Sequence, residues 1–338
     1  MRRLVFIGQY AGGGACGVHV LNVDDATGEI APVDFVGGLD NSLWLAVSPD
    51  GSRLYAARDG GITAFAVDGA RLAACDDYEI GHTQPCHFSF SSDGRRLYFA
   101  EYVDAVCGVV ELSSGRVVSR TLVGGGPNRP RQDKAHAHCA IETPDGRHLC
   151  VIDLGSDAIW LFDPVDMSPR GKVETAPGAG PRHLVFHPGG RFAYLIYELG
   201  NIVTAFRCDG GKFAPIQTLP LLPPDFDGLS QAAALKFSED GTRLFATNRG
   251  HDSVVVFDVD RDSGRLAFVA RSPLGGSWPR DFTMLPGERV ALACLERAGE
   301  VRAFGYGKAS GSFSPLPYAY RTHRPVVAVV GVLSARRT

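Results

Sequence analysis

The stretch GAGPRHLVFHPGGRFAYLIYE, Gly178–Glu198, decides how the rest of the 338-residue chain is read. An alternating apolar segment leads into a tight turn around Pro188–Gly190, and a second apolar segment follows. Alternation of this kind is the period of a strand, so the stretch is a strand, a turn and a strand. Arg182 stands at its entry and Glu198 at its exit. Five more copies align on the turn: WLAVSPDGSRLYAAR (44–58), HFSFSSDGRRLYFAE (87–101), CAIETPDGRHLCVID (139–153), ALKFSEDGTRLFATN (234–248) and DFTMLPGERVALACL (281–295). The turns begin at Pro49, Ser92, Pro144, Pro188, Glu239 and Pro286, about 47 residues apart. Proline presets φ at such a turn, aspartate caps it and glycine supplies positive φ.

A third strand follows each pair, clearest in ITAFAV (62–67), AIWLF (158–162), IVTAF (202–206) and SVVVF (253–257), and a weaker fourth closes the unit. Four strands per repeat of this length define a β-propeller. The reading is all-β and a single domain over 1–338: seven four-stranded antiparallel blades, the last pairing VVAVVGVL (326–333) with LVFIGQY (4–10) to close the ring. A six-bladed ring with loose ends is the alternative.

Composition agrees. The 41 glycines and 21 prolines suit many short strands joined by turns. The net charge of −3 argues against a nucleic-acid partner. The apolar run Leu4–Ile7 is too short for a signal peptide or a membrane span, so no membrane partner and a cytoplasmic location are expected. The eight cysteines form no CxxC pair and are read as buried free thiols.

Superposing the copies gives two informative columns. The first-strand entry carries Leu43, Cys86, His138, Arg182, Ala233 and Arg280; the second-strand exit carries Asp59, Tyr102, Leu154, Glu198, Arg249 and Glu296. Antiparallel pairing places both columns at one end of each blade, toward one mouth of the channel. Packing alone asks for small or apolar residues there. A histidine, three arginines and several carboxylates instead suggest a binding or catalytic site, with mutual salt bridging as the plain alternative. Two long connections, 121–138 and 219–231, are expected to rim this mouth, the first adding Arg129, Arg131 and Lys134.

Other motifs carry less. His136 and His138 have no third ligand at metal spacing, and neither a metal nor a cofactor is expected. The triplets Gly12–Gly14 and Gly124–Gly126 lack the GK[ST] of a phosphate loop and read as flexible turns. DVDRDSGRL (258–266) and NVDDATGEI (22–30) read as hairpin turns, not calcium loops. His183 and His187 read as core or supporting groups.

The segments 134–162, 178–206 and 235–257, with GGPNRPRQ (125–132) and GSWPRDFTM (276–284), resemble the lactonase family of seven-bladed propellers. That family includes bacterial propeller-type 6-phosphogluconolactonases and fungal 3-carboxy-cis,cis-muconate lactonizing enzymes. The resemblance implies a site of His138 and Glu198 as acid and base, with Arg182 and Arg249 binding the substrate. Arg280 joins them by blade equivalence alone. It implies hydrolysis of a sugar-acid lactone, 6-phosphoglucono-δ-lactone foremost, in the pentose phosphate pathway, so the partner is a small anionic lactone or carboxylate. A muconate-type cycloisomerase and a non-catalytic binding propeller are the alternatives. Which of His138 and Glu198 is the base stays open. Tyr197, where the family has Asn, and the Glu101-Tyr102 pair depart from its pattern and are expected to reshape the pocket.

Overall fold

In a computed structural model, residues 1–12, 16–81 and 84–332 of the chain are described. Gly13 and Gly14 of the first glycine triplet, and Leu333 of the last expected strand, lie outside them. The described residues form seven four-stranded antiparallel sheets and no helix, a seven-bladed β-propeller. Six sheets use four consecutive strands. The seventh pairs Pro325–Val330 with Arg2–Gln9, so the expected closure between the chain's two ends is present, with Phe6 opposite Val329 and Ile7 opposite Ala328.

The strands group into two units. Residues 1–85 with 274–338 hold three blades, and 86–273 hold four. Within the second unit the first strands of successive blades, Ala137–Glu142, Pro181–Phe186 and Gln231–Phe237, are neighbours. Burial falls outward across each blade. All five residues of Leu149–Asp153 are buried, whereas five of the six in the outermost strand Pro169–Glu174 are exposed. Facing sheets bury apolar side chains between them, as where Phe192, Tyr194 and Val203 meet Leu235, Leu244 and Phe257. Each such large side chain contributes about 1.5–3 kcal/mol.

The repeated turn works as its composition implies. Gly51, Gly94, Gly146, Gly190 and Gly241 all have φ near +70°. The hydroxyls of Ser48, Ser91, Thr143 and Ser238 donate to Asp50, Asp93, Asp145 and Asp240, two residues on. The 258–266 segment is a hairpin turn in which Asp260 accepts from the backbone N–H groups of Asp262 and Ser263. All eight cysteines are free thiols. Five are buried, but Cys75 is exposed, because its outermost strand faces solvent.

Candidate active site

The first strands of the blades do not run evenly, and the irregularity places the site. Ala137 pairs with Asp153 and Cys139 with Ile152, so His138 is an extra residue bulged out of the ladder. The same shift leaves Arg182 between paired Pro181 and His183, and Arg280 between Pro279 and Asp281. A bulge re-aims the side chain of the extra residue. The three charged or imidazole residues of the entry column are therefore all bulges.

Within the four-blade unit, His138, Arg182, Glu198 and Arg249 meet. Glu198 Oε2 accepts from Arg182 Nε at 3.0 Å and Arg249 Nη2 at 2.7 Å. His138 Nε2 lies 4.0 Å from the same oxygen. The other oxygen, Oε1, accepts from Arg131 Nη2 at 2.6 Å. Arg182 and Arg249 are each 3 % exposed and Glu198 4 %. The two buried guanidiniums are held by backbone carbonyls as well: Arg182 Nη1 donates to Ala233 O, and Arg249 donates to Gln231 O and Ala232 O. Burial alone would raise the Glu198 pKa, but Arg249, Arg182, His138 and Arg131 outweigh it and hold the carboxyl well below its usual range.

Histidines continue inward from this point. His138 meets His183 edge to face, ring centroids 5.3 Å apart, and His183 meets His87 at 5.5 Å. Burial, reinforced by Arg182, pushes the His183 pKa well below its ordinary value, and burial with Lys236 and Arg182 takes His87 to about 3. Burial thus favours the neutral form of both rings. His136 turns aside: its ring stacks on Tyr102 at 4.2 Å and its nitrogens face Tyr102 O and Asp133. Among the described residues no cluster of three or more His, Cys, Asp or Glu is placed to hold a metal ion.

Arg280 belongs to the three-blade unit, where its partners are Glu296, with 3.7 Å between Nη1 and Oε2, and the ring of Tyr10, 5.3 Å from its guanidinium carbon. The two departures from the family pattern have structural tasks instead of reshaping the pocket. Tyr197 is 1 % exposed in the core between sheets, packed with Leu161, Leu184 and Phe206. Glu101, fully buried, caps its own turn by accepting from Val103 N and Asp104 N.

Arg131 is the residue that repeat superposition does not single out, because it lies on a connection outside the repeat. The length of that connection and its basic residues were the available signal. The other long connection, before Gln231, contributes mainly packing: Leu221 enters the core and Phe226 meets His251 edge on at 4.8 Å.

A seven-bladed propeller that gathers a buried carboxylate and an imidazole among guanidiniums from several blades has the charged, enclosed cluster expected of a catalytic or binding site. The family model described as "Lactonase, 7-bladed beta-propeller" matches residues 4–330, and the chain belongs to this family of lactone hydrolases. It is 32% identical over 336 residues, 95% of this chain and 96% of the relative, to the 6-phosphogluconolactonase of Bacillus subtilis (strain 168). Among solved structures, the periplasmic gluconolactonase PpgL of Pseudomonas aeruginosa is similar with a TM-score of 0.92 at 29% identity, over 98% of this chain and 100% of that one. A putative 6-phosphogluconolactonase from Bacteroides fragilis NCTC 9343 is similar with a TM-score of 0.88 at 28% identity, over 97% of this chain and 98% of that one.

Proposed function

We propose that the chain hydrolyses a sugar-acid lactone carrying an anionic group, 6-phosphoglucono-δ-lactone foremost, with His138 as the base and Glu198 as its electrostatic partner. One observation carries the assignment of roles. Glu198 is clamped by three guanidiniums, which hold it as a carboxylate and make it a weaker base than an ordinary carboxylate. Imidazole as a class changes protonation near neutrality and can both accept and return a proton.

The 4.0 Å between His138 Nε2 and Glu198 Oε2 exceeds a direct hydrogen bond and suits one bridging water. That water is the nucleophile. Its oxygen bonds to the lactone carbonyl carbon as its proton passes to His138, and the carbonyl oxygen becomes an oxyanion in the field of Arg182 and Arg249. The ring C–O bond then breaks. The leaving alkoxide takes the proton back from His138, and a hydroxy acid remains. Glu198 stabilises the transient imidazolium, whose charge it faces across the gap.

The test is turnover of 6-phosphoglucono-δ-lactone and glucono-δ-lactone, corrected for spontaneous opening. Wild type accelerates at least one of them, and His138→Gln lowers kcat by roughly 10²–10³-fold, the scale of losing a proton-transfer or charge-stabilising group. A wild-type protein that opens neither lactone faster than buffer defeats the reading. A folded His138→Gln variant with undiminished kcat defeats the role given to His138.

A further inference from the structure

Three guanidiniums touch Glu198, and they are not equivalent. Arg182 and Arg249 are each 3 % exposed and tied to backbone carbonyls of Gln231–Ala233. They fix the carboxylate and hold their charge in one place for the oxyanion, and they cannot follow a ligand. Arg131 is 35 % exposed. Among the described residues its bonds run through Nη2 alone, to Glu198 Oε1 at 2.6 Å and Tyr102 Oη at 3.3 Å. A planar guanidinium has five N–H donors in a fixed fork. The Nε and Nη1 donors therefore remain to meet an acceptor from outside.

We propose that Arg131 is the specificity-determining residue of this site, the clamp for the phosphate or carboxylate group that a substrate carries away from its reacting carbonyl. This deepens the lactone-hydrolase reading and rests on it for its kinetic arm, not for its binding arm. Guanidinium offers paired donors that match phosphate or carboxylate oxygens.

The backbone beneath Arg131 is built to hold it there. Its neighbour Gln132 is fully buried and donates to Leu154 O at 2.8 Å and Asp157 Oδ1 at 2.7 Å. Gln132 Oε1 accepts from Asn128 N at 2.9 Å, and Asn128 Nδ2 donates to Gly178 O at 3.1 Å. Asp157 also accepts from Gly178 N and Gly180 N. The connection is thus fastened to the 154–157 turn of the sheet that follows it and to the 178–180 connection that leaves that sheet, although it has no strand of its own. An arm ordered before the ligand arrives avoids most of the entropy cost of clamping. Tyr102 completes the geometry. Its hydroxyl accepts from Arg131 while its ring meets His138 at 5.6 Å, so one side chain spans the anion end and the proton-transfer end. Exposed Arg129 and Lys134 lie on the same connection and extend the positive field, while Asp133 is turned to His136.

The deciding experiment is calorimetric titration with inorganic phosphate of the full-length wild type, Arg131→Gln and Arg131→Lys. Wild type binds phosphate, Arg131→Gln binds at least about tenfold more weakly, and Arg131→Lys falls between, because it keeps the charge without the fork. Absence of phosphate binding by wild type, or equal affinity in wild type and Arg131→Gln, overturns the inference. Thermal melts of all three confirm a folded protein, and Glu198 retains two partners in each variant. Kinetics give the second arm. The ratio of kcat/KM for the phosphorylated over the unphosphorylated lactone falls at least about tenfold in Arg131→Gln, through KM of the phosphorylated one. An unchanged ratio also overturns the inference. If wild type opens no lactone, the functional reading fails alone and the titration still decides Arg131.

Discussion

Two blades carry an arginine at the bulged entry and a glutamate at the exit, and they use them differently. In the four-blade unit Arg182 and Glu198 are 3.0 Å apart, almost fully buried, and joined by Arg249, Arg131 and His138. In the three-blade unit Arg280 lies 3.7 Å from Glu296 and is 17 % exposed. Arg324, at 2.6 Å, is the nearer partner of Glu296 and is 47 % exposed, and both guanidiniums pack on Tyr10. Equivalent positions in a repeat fix where a side chain starts, not what surrounds it. The difference comes from neighbours: an arginine at the exit of the following blade and a fastened loop on one side, a solvent-facing arginine and an aromatic ring on the other.

Replacing the carboxylates breaks the comparison most strongly. Glu198→Gln strands buried guanidiniums and should cost roughly 3–5 kcal/mol of stability at pH 7. Glu296→Gln leaves a solvated Arg324 and should cost about 1–2 kcal/mol. The folded-state pKa of Glu198 is depressed, so its contribution is complete above the ordinary value of 4.5 and is lost as pH falls toward the folded value. The stability gap between wild type and Glu198→Gln should therefore narrow below about pH 4.5. Chemical denaturation at pH 7 and at pH 3.5 checks this, and a gap that widens on acidification contradicts the clamp.

The same contrast shows what was legible beforehand. Turn spacing and alternation specify six blades, because each tight turn demands its own residues and each strand its own period, and the seventh was read from apolar strands at the chain's two ends. The two columns were equally visible, and so were His138, Arg182, Glu198 and Arg249. The bulge was not, since Pro-Arg-His before Leu184 alternates no differently from a regular ladder. Arg131 was missed as a partner of Glu198 because loop geometry follows from Gln132 and Asp157, residues far apart in sequence. Arg324 was missed for another reason. Its blade has its first strand at the C-terminus and its second at the N-terminus, so it lacks the turn on which the copies align.

Replacing the arginines is a smaller break. Arg182→Gln removes one buried charge from Glu198 and its bond to Ala233 O, and should cost about 2–4 kcal/mol. Arg280→Gln removes a longer, partly solvated contact and should stay within about 1 kcal/mol. Equal losses in urea denaturation would mean that burial does not separate the two pairs.

The smallest effect tests what holds the second pair in place of a third guanidinium. Tyr10 offers its ring to Arg324 at 4.2 Å and to Arg280 at 5.3 Å, distances at which the face of a phenol attracts a cation. Its backbone N–H also donates to Arg324 O at 3.3 Å, a bond any side chain leaves intact. Tyr10→Leu therefore removes the ring while keeping a comparable apolar volume and the chain path. A double-mutant cycle between Tyr10→Leu and Arg324→Gln isolates the ring–cation contact from the Glu296 ion pair, which both Tyr10 backgrounds share. The expected coupling is about 0.5–1 kcal/mol. Because the ring is neutral, the coupling should persist in about 0.5 M salt, where an exposed ion pair is largely screened. A coupling near zero would leave Glu296 as what orders Arg324, and the two blades would then differ in the exposure of their ion pairs and not in the kind of interaction that supports them.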